Sequence, residues 1–205
     1  QINPNNTRAL QSKAYALNNL KKYSEALEIY DKLLQLQPNN ESLLKNKAYT
    51  LRHLKKDSEA LEIYDKLLQL QPNNTRALQS KVYALNKLGK YSEAINEAVS
   101  TAMEIDKSVI CYGLGVPDPK GVFGTTLGLQ EKFGKERVFD MPTSENAMTG
   151  IGIGASLYGL RPFITHQRLD FALLSMDQLV NNAAKWRFMF GGQRGVPITV
   201  RMILG

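Results

Sequence analysis

The sequence is poor in the residues that carry most enzyme chemistry. Its 205 residues include one cysteine, one tryptophan and two histidines. A lone thiol, Cys111, cannot close an internal disulfide, which excludes a disulfide-stapled fold and points to a reducing compartment, the cytoplasm. Cys111 lies in the apolar run SVICYGLG, where a buried, inert thiol is the expected state. His53 and His166 are far apart in sequence and neither has a neighbouring cysteine, so no metal site is expected. No apolar run approaches the ~20 residues needed to span a bilayer, and the N-terminus has no secretory pattern, so no membrane partner is expected. Charge is not concentrated either. The net +7 arises from 15 Lys and Arg against 12 Asp and Glu up to Asp106, and 11 against 7 beyond it. Without a basic block, nucleic acid is not an expected partner. The pattern GxxxxGK[ST] is missing, which removes that kind of phosphate-cradling loop. Glycine is nearly absent from the first half: of fifteen, only Gly89 precedes Asp106.

What the first half does contain is repetition. PNN recurs at Pro4, Pro38 and Pro72, a period of 34. SEALEIYDKLLQLQPNN at Ser24–Asn40 returns unchanged at Ser58–Asn74, and TRALQSK at Thr7 returns at Thr75. This period with helical apolar spacing marks a solenoid of helix pairs. The repeats resemble tetratricopeptide repeats over residues 1–106. Ala14, Ala26, Ala48, Ala60 and Ala94 stand at the small positions where paired helices approach closely. Tyr30 and Tyr64 fill the large position four residues on. In the third repeat Ala98 replaces that tyrosine and Asp106 replaces the closing proline. Such near-identity indicates recent duplication or construction by design, and Gln1–Pro4 reads as the tail of a preceding repeat.

By resemblance, the first helices of such repeats line a concave groove that takes peptides. The groove candidates are Gln11, Tyr15, Asn18, Lys45, Tyr49, Arg52, Gln79, Tyr83 and Asn86. The lysine and asparagine pair by which some arrays clamp a carboxylate is missing, since the matching pairs are Gln11/Tyr15, Lys45/Tyr49 and Gln79/Tyr83. Two readings stay open: tyrosines packed between neighbouring repeats, or a groove in use with a peptide or protein ligand.

Beyond Asp106 glycine-punctuated apolar runs alternate with helical ones. Strands are expected at Ser108–Gly113, Arg137–Asp140, Arg161–His166 and Pro197–Ile203. Helices are expected at Val122–Phe133, Ser144–Tyr158 and Asp170–Phe190. Continuous apolar strands suit a mostly parallel sheet covered on both faces, giving a three-layer α/β/α arrangement. Ser92–Asp106 belongs to both halves: it is the last helix of the array and the first of a domain spanning 92–205. Gly150, Gly152 and Gly154 fall inside a helix pattern rather than a strand-to-helix turn. They are read as close packing and not as a dinucleotide fingerprint.

Several stretches of this half, in order, carry a second resemblance. They are GVFGTT (Gly121–Thr126), LQEKFG (Leu129–Gly134), RVFDMPTSE (Arg137–Glu145), PTSENAMTGIGIGASLYGLRP and DFALLSMDQLVNNAAKWRFMFGGQ. They resemble the pyrimidine-binding domain of the beta subunit of thiamin-diphosphate-dependent 2-oxo acid dehydrogenases, within the transketolase superfamily. The likeness begins at Glu93–Val99 and runs to the end. It implies that Glu145 is the carboxylate that bonds a ring nitrogen of the cofactor's aminopyrimidine, and that Phe171 packs on that ring. A proton shared with Glu145 lets the ring's free nitrogen deprotonate the thiazolium carbon, which then attacks a 2-oxo carbonyl. Read from the residues alone, Glu145 is a first-turn carboxylate beside the N-cap candidate Ser144. His166 ends a strand at the carboxyl edge, as a substrate residue or a hydrogen-bonded structural one. Asp177 and Gln178 match a DQ pair read as structural or interfacial.

The GDG motif that holds Mg²⁺ and the diphosphate in transketolase-type enzymes does not occur here. The resemblance implies that an alpha-type subunit supplies it and that the protein is oligomeric. The resemblance also runs out midway through the expected domain, so the α/β part is expected to be incomplete at its C-terminus. Two functions follow. One is a beta-type component of a 2-oxo acid decarboxylating enzyme, inactive alone. The other is a non-catalytic, possibly designed scaffold that binds through its repeats and uses the α/β part for assembly.

Overall fold

The computed structural model describes residues 6–202, so Pro4, the Gln1–Pro4 tail and Ile203 lie outside the described residues. The chain forms two compact units, Gln1–Ala94 and Ile95–Gly205. Their boundary falls within the helix Tyr91–Ile105.

The repeat unit consists of helix pairs: α1 (Thr7–Asn19) with α2 (Tyr23–Leu36), then α3 (Glu41–His53) with α4 (Asp57–Leu70). These are followed by α5 (Thr75–Lys87) and the start of α6 (Tyr91–Ile105). The recurring asparagine has a local reason. Asn6, Asn40 and Asn74 occupy the N-cap of α1, α3 and α5 and accept from the backbone N–H three residues on, at 3.2, 3.2 and 3.1 Å. Each such cap stabilises by about 1 kcal/mol. The same helices end alike: the N–H groups of Lys22, Lys56 and Lys90 return to the carbonyls of Leu17, Leu51 and Leu85 at 2.9 Å. That closure needs a left-handed residue just before it. Gly89 adopts φ 73° without cost, whereas Lys21 and Lys55 are forced to φ 59° and 58°. The alanines Ala14, Ala26, Ala48, Ala60 and Ala94 are buried, as are Tyr30 and Tyr64. Neighbouring repeats are also joined by equivalent ion pairs, Lys47 with Asp31 at 2.7 Å and Lys81 with Asp65 at 3.0 Å.

The second unit is a four-stranded, wholly parallel sheet in the order β2-β1-β3-β4. Its strands are β1 (Val109–Gly113), β2 (Val138–Asp140), β3 (Arg161–Thr165) and β4 (Thr199–Arg201). On one face, Val109 and Cys111 pack with Val99 and Met103 of α6 and with Leu129 of the short helix α7 (Leu129–Phe133). On the other, Ile110, Tyr112 and Ile164 pack with Met148 of α8 (Glu145–Leu157). This is the expected three-layer arrangement. Burial pushes the Cys111 thiol up to about 12, which fits the inert reading.

Two expected helices differ. Val122–Phe133 is broken into a 3₁₀ turn at Val122–Gly124 and α7, because Gly121, Phe123, Gly124 and Gly128 all have positive φ. Asp170–Phe190 changes winding along its length. It runs from α9 (Leu169–Ala172) through a 3₁₀ turn (Leu173–Ser175) and a π-helical segment (Gln178–Ala183) to α10 (Ala184–Met189). The chain of bonds from Asn182 to Gln178 to Asn146 ties the π segment to α8, at 2.8 and 3.1 Å. Gln178 is thus structural. Asp177 accepts from Asn181 at 2.7 Å.

The glycine cluster is resolved at one position. A methyl at Gly152 would sit 2.6 Å from Ile164 Cδ1 and closer still to the Tyr112 hydroxyl, which already donates to the Met148 carbonyl at 2.9 Å. Gly154 has open space around it. Gly152→Ala should therefore destabilise the α/β unit by about 1–2 kcal/mol despite alanine's better helix propensity, read as a lower urea midpoint in Trp186 fluorescence, while Gly154→Ala should not. In the repeat unit, Lys55→Gly should stabilise by roughly 0.5–1 kcal/mol by removing left-handed strain, read as a higher melting temperature in circular dichroism.

Candidate functional site

Parallel strands all end at one edge, and Asp140, Glu145, His166 and Arg201 lie at or just beyond the strand ends there. The chain leaves β2 at Asp140 and enters α8 with Ser144 at the N-cap position and Glu145 in the first turn. Ser144 is the N-cap residue as expected, with extended backbone geometry, but its side chain makes no cap bond. Glu145 is 7% exposed, and no hydrogen bond among the described residues reaches its carboxylate. The helix N-terminus favours a negative charge there.

His166 follows β3 and is fully buried. Its Nε2 lies 3.4 Å from the Thr149 hydroxyl, and its Nδ1 has no partner. Burial holds the imidazole below its usual pKa, opposed by the charge of Glu145. The structure therefore couples Glu145 to a neutral His166, two residues the sequence treated separately. Thr149 escaped the sequence reading. The signal was its position four residues after Glu145, one turn along the same buried face of α8. Arg201, at the end of β4, also has a buried guanidinium nitrogen without a partner. Phe171, on α9, is 37% exposed and has the Arg168 guanidinium 5.5 Å from its ring centre. Chemically, a carboxylate lacking a protein donor beside a neutral imidazole can hold a proton on a nitrogen-bearing ligand.

In the repeat unit, Asn18 is not a groove residue. It is buried, donates to the Tyr30 hydroxyl at 3.3 Å and accepts from Thr50 at 3.0 Å, because the amide satisfies two polar groups trapped between repeats. Tyr15, Tyr49 and Tyr83 are exposed, yet Tyr83 also packs between repeats against Arg52, so the two readings of these tyrosines are not exclusive. Tyr49 leans on His53 at 4.4 Å between ring centres, and Arg52 lies 4.5 Å over Tyr83. Lys45 pairs with Glu41 at 3.4 Å, and Asn86 is exposed. Tyr49 and Arg52 line a groove of about 720 Å³ with Lys45, and a second of about 560 Å³ with Tyr83. Among the described residues no group of three or more His, Cys, Asp or Glu could hold a metal, and no helix is long and apolar enough to cross a membrane.

Residues 89–204 match the family "Transketolase, pyrimidine binding domain", and residues 2–109 match "Psidin, N-terminal TPR repeats region". The chain belongs to both families. Its transketolase-type part is 40% identical over 111 residues to the pyruvate dehydrogenase E1 component subunit beta of Pisum sativum, covering 54% of this chain and 31% of that protein. It is 43% identical over the same length to the 2-oxoisovalerate dehydrogenase subunit beta of Bacillus subtilis, covering 54% and 34%. The chain spans about a third of the length of these curated relatives. Among solved structures, a MamA RS-1 ArsTM double mutant aligns at 26% identity with TM-score 0.45, covering 52% of this chain and 59% of that one.

The state of His166 in this pyrimidine-binding domain makes stability depend on pH. The unfolded chain takes up its proton near pH ~6.5 and the folded chain only lower. Below that point the unfolded state binds more protons, so stability present above pH ~6.5 is lost as pH falls. The urea midpoint read by Trp186 fluorescence should drop between about pH 7 and pH 5, and His166→Asn should flatten that drop.

Proposed function

We propose that the α/β unit is the pyrimidine side of a thiamin diphosphate site in a 2-oxo acid decarboxylating dehydrogenase, with Glu145 as its activating carboxylate. The observation that carries this reading is Glu145 itself, nearly buried at the carboxyl edge of a parallel sheet, with no hydrogen-bond donor to its carboxylate among the described residues. The residues present fit an aminopyrimidine. Glu145 offers an acceptor for a ring nitrogen, His166 keeps an unpartnered Nδ1, and Phe171 leaves part of an aromatic face open.

When bound, thiamin diphosphate supplies the nucleophilic carbon and the electron sink that 2-oxo acid decarboxylation needs. The chain's own part is positional and protonic. Glu145, in the first turn of α8, would hold a proton against a pyrimidine nitrogen. His166 stays neutral, so it does not compete as a cation for Glu145. Phe171 covers the ring. An alpha-type subunit provides the Mg²⁺ and diphosphate site, so this chain acts only in an oligomer. The relatives' names point to pyruvate or a branched 2-oxo acid as substrate.

The repeats add a peptide-binding array, which supports targeting of the enzyme component to a protein partner. A scaffold without catalysis is the second reading, favoured by apolar side chains on Leu173–Phe190, Phe188 among them at 89% exposed, that suit assembly.

The chain co-expressed with an alpha-type subunit, thiamin diphosphate and Mg²⁺ should release CO₂ from pyruvate or 2-oxoisovalerate. Glu145→Gln should lower that rate by roughly 10²–10⁴-fold, with the urea midpoint unchanged. Equal rates for the two proteins would reject the catalytic reading and leave the scaffold.

A further inference from the structure

The array departs from its own repeat in the middle. Helix α3 carries Lys45, Asn46, Arg52 and His53 where α1 and α5 carry glutamine, serine, asparagine and then asparagine or lysine. Each of these four substituted residues lines one of the two grooves that share Tyr49 and Arg52.

Both grooves carry a net positive charge. In the smaller one, Arg52, Lys55 and Lys87 stand against Asp57 alone. In the larger, Lys45 and Arg76 stand against Glu41, which Lys45 and Gln71 already engage, Gln71 at 2.8 Å. Arg52 joins the two grooves. Its guanidinium is laid over Tyr83, and its buried Nε has no hydrogen-bond partner among the described residues. Arg52 also bonds the Tyr64 side chain, and the five donors of a guanidinium leave further N–H groups for a carboxylate. Asn39 and Asn46 in the larger groove add amides that match the peptide groups of an extended chain.

We propose that these joined grooves bind an extended acidic peptide, with Arg52 pairing to a carboxylate side chain and Tyr49 and Tyr83 flanking it. The proposal rests on the reading of the repeats as a peptide-binding array and gives that array its ligand chemistry.

Fluorescence anisotropy on the whole chain tests it, using fluorescein-labelled, terminally capped peptides built from four Glu-Ala-Ser units. Matched peptides carry glutamine or lysine in place of glutamate. The glutamate peptide should bind about tenfold tighter than the glutamine one, and added salt should weaken it. Arg52→Gln should weaken it by a similar factor. Because Arg52 also packs on Tyr83, the exposed pair Lys55→Gln with Lys87→Gln provides a second variant, which should lose affinity while melting as the parent does. Unchanged affinity in both variants overturns the proposal. Equal binding of the glutamine or lysine peptide, abolished by Tyr49→Ala, overturns the acidic assignment while the groove stands. Displacement of the glutamate peptide by a stronger-binding oligonucleotide overturns it too. Failure of all three peptides to bind rejects the peptide-binding array along with it.

Discussion

In the α/β unit, β1 lies between two parallel neighbours and is buried along its whole length, so its five residues must satisfy two cores at once. Val109 and Cys111 belong to the α6 and α7 side, Ile110 and Tyr112 to the α8 side. The second demand sets the rest. Tyr112 has a hydroxyl that cannot be buried unpaired, and it finds the Met148 carbonyl. That bond brings α8 close enough that a methyl at residue 152 would press on Tyr112 and Ile164. With α8 seated so, its first turn puts Glu145 at the carboxyl edge, and Thr149, one turn further, meets His166. The site is a consequence of covering the sheet.

The repeat unit shows the opposite economy, in which one solution is copied. Asparagine caps, reversed helix ends and inter-repeat ion pairs recur with the 34-residue period. The polar links that break the period are where repeats become different. Between the first two repeats Asn18 connects Tyr30 to Thr50. At the equivalent place in the second repeat Arg52 lies beside Tyr64, whose pKa is raised by burial and lowered in part by that guanidinium. An amide sealed in the core and a guanidinium open to a groove occupy the same position in the repeat.

Much of the fold was legible because periodicity and burial are local. The helix pairs, the four strands and the glycine packing in α8 all follow from spacing. What escaped was of two kinds. The break in Val122–Phe133 comes from positive φ at Gly121, Phe123, Gly124 and Gly128; apolar spacing cannot reveal a backbone sign. The winding changes between Leu169 and Met189 answer to bonds with Asn146, 32 residues earlier than Gln178. At the site, Glu145 and Phe171 were named through resemblance, but the contact of His166 with Thr149, one turn along from Glu145, depends on α8 and β3 meeting across the sheet. Asn18 was misjudged because the groove face of one helix is the packing face toward the next, and only the contact with Thr50 decides which use prevails.

The equivalence of the inter-repeat joints bears on how such a chain can change length. Ser24–Asn40 and Ser58–Asn74 are the same seventeen residues, and each brings its own aspartate to the ion pair with the following repeat. Unequal crossing-over between those two stretches would insert or delete one whole repeat in register, and every cap, reversal and ion pair at the new joint would already match its neighbour. Copy number is therefore the heritable variable that this array is least able to resist.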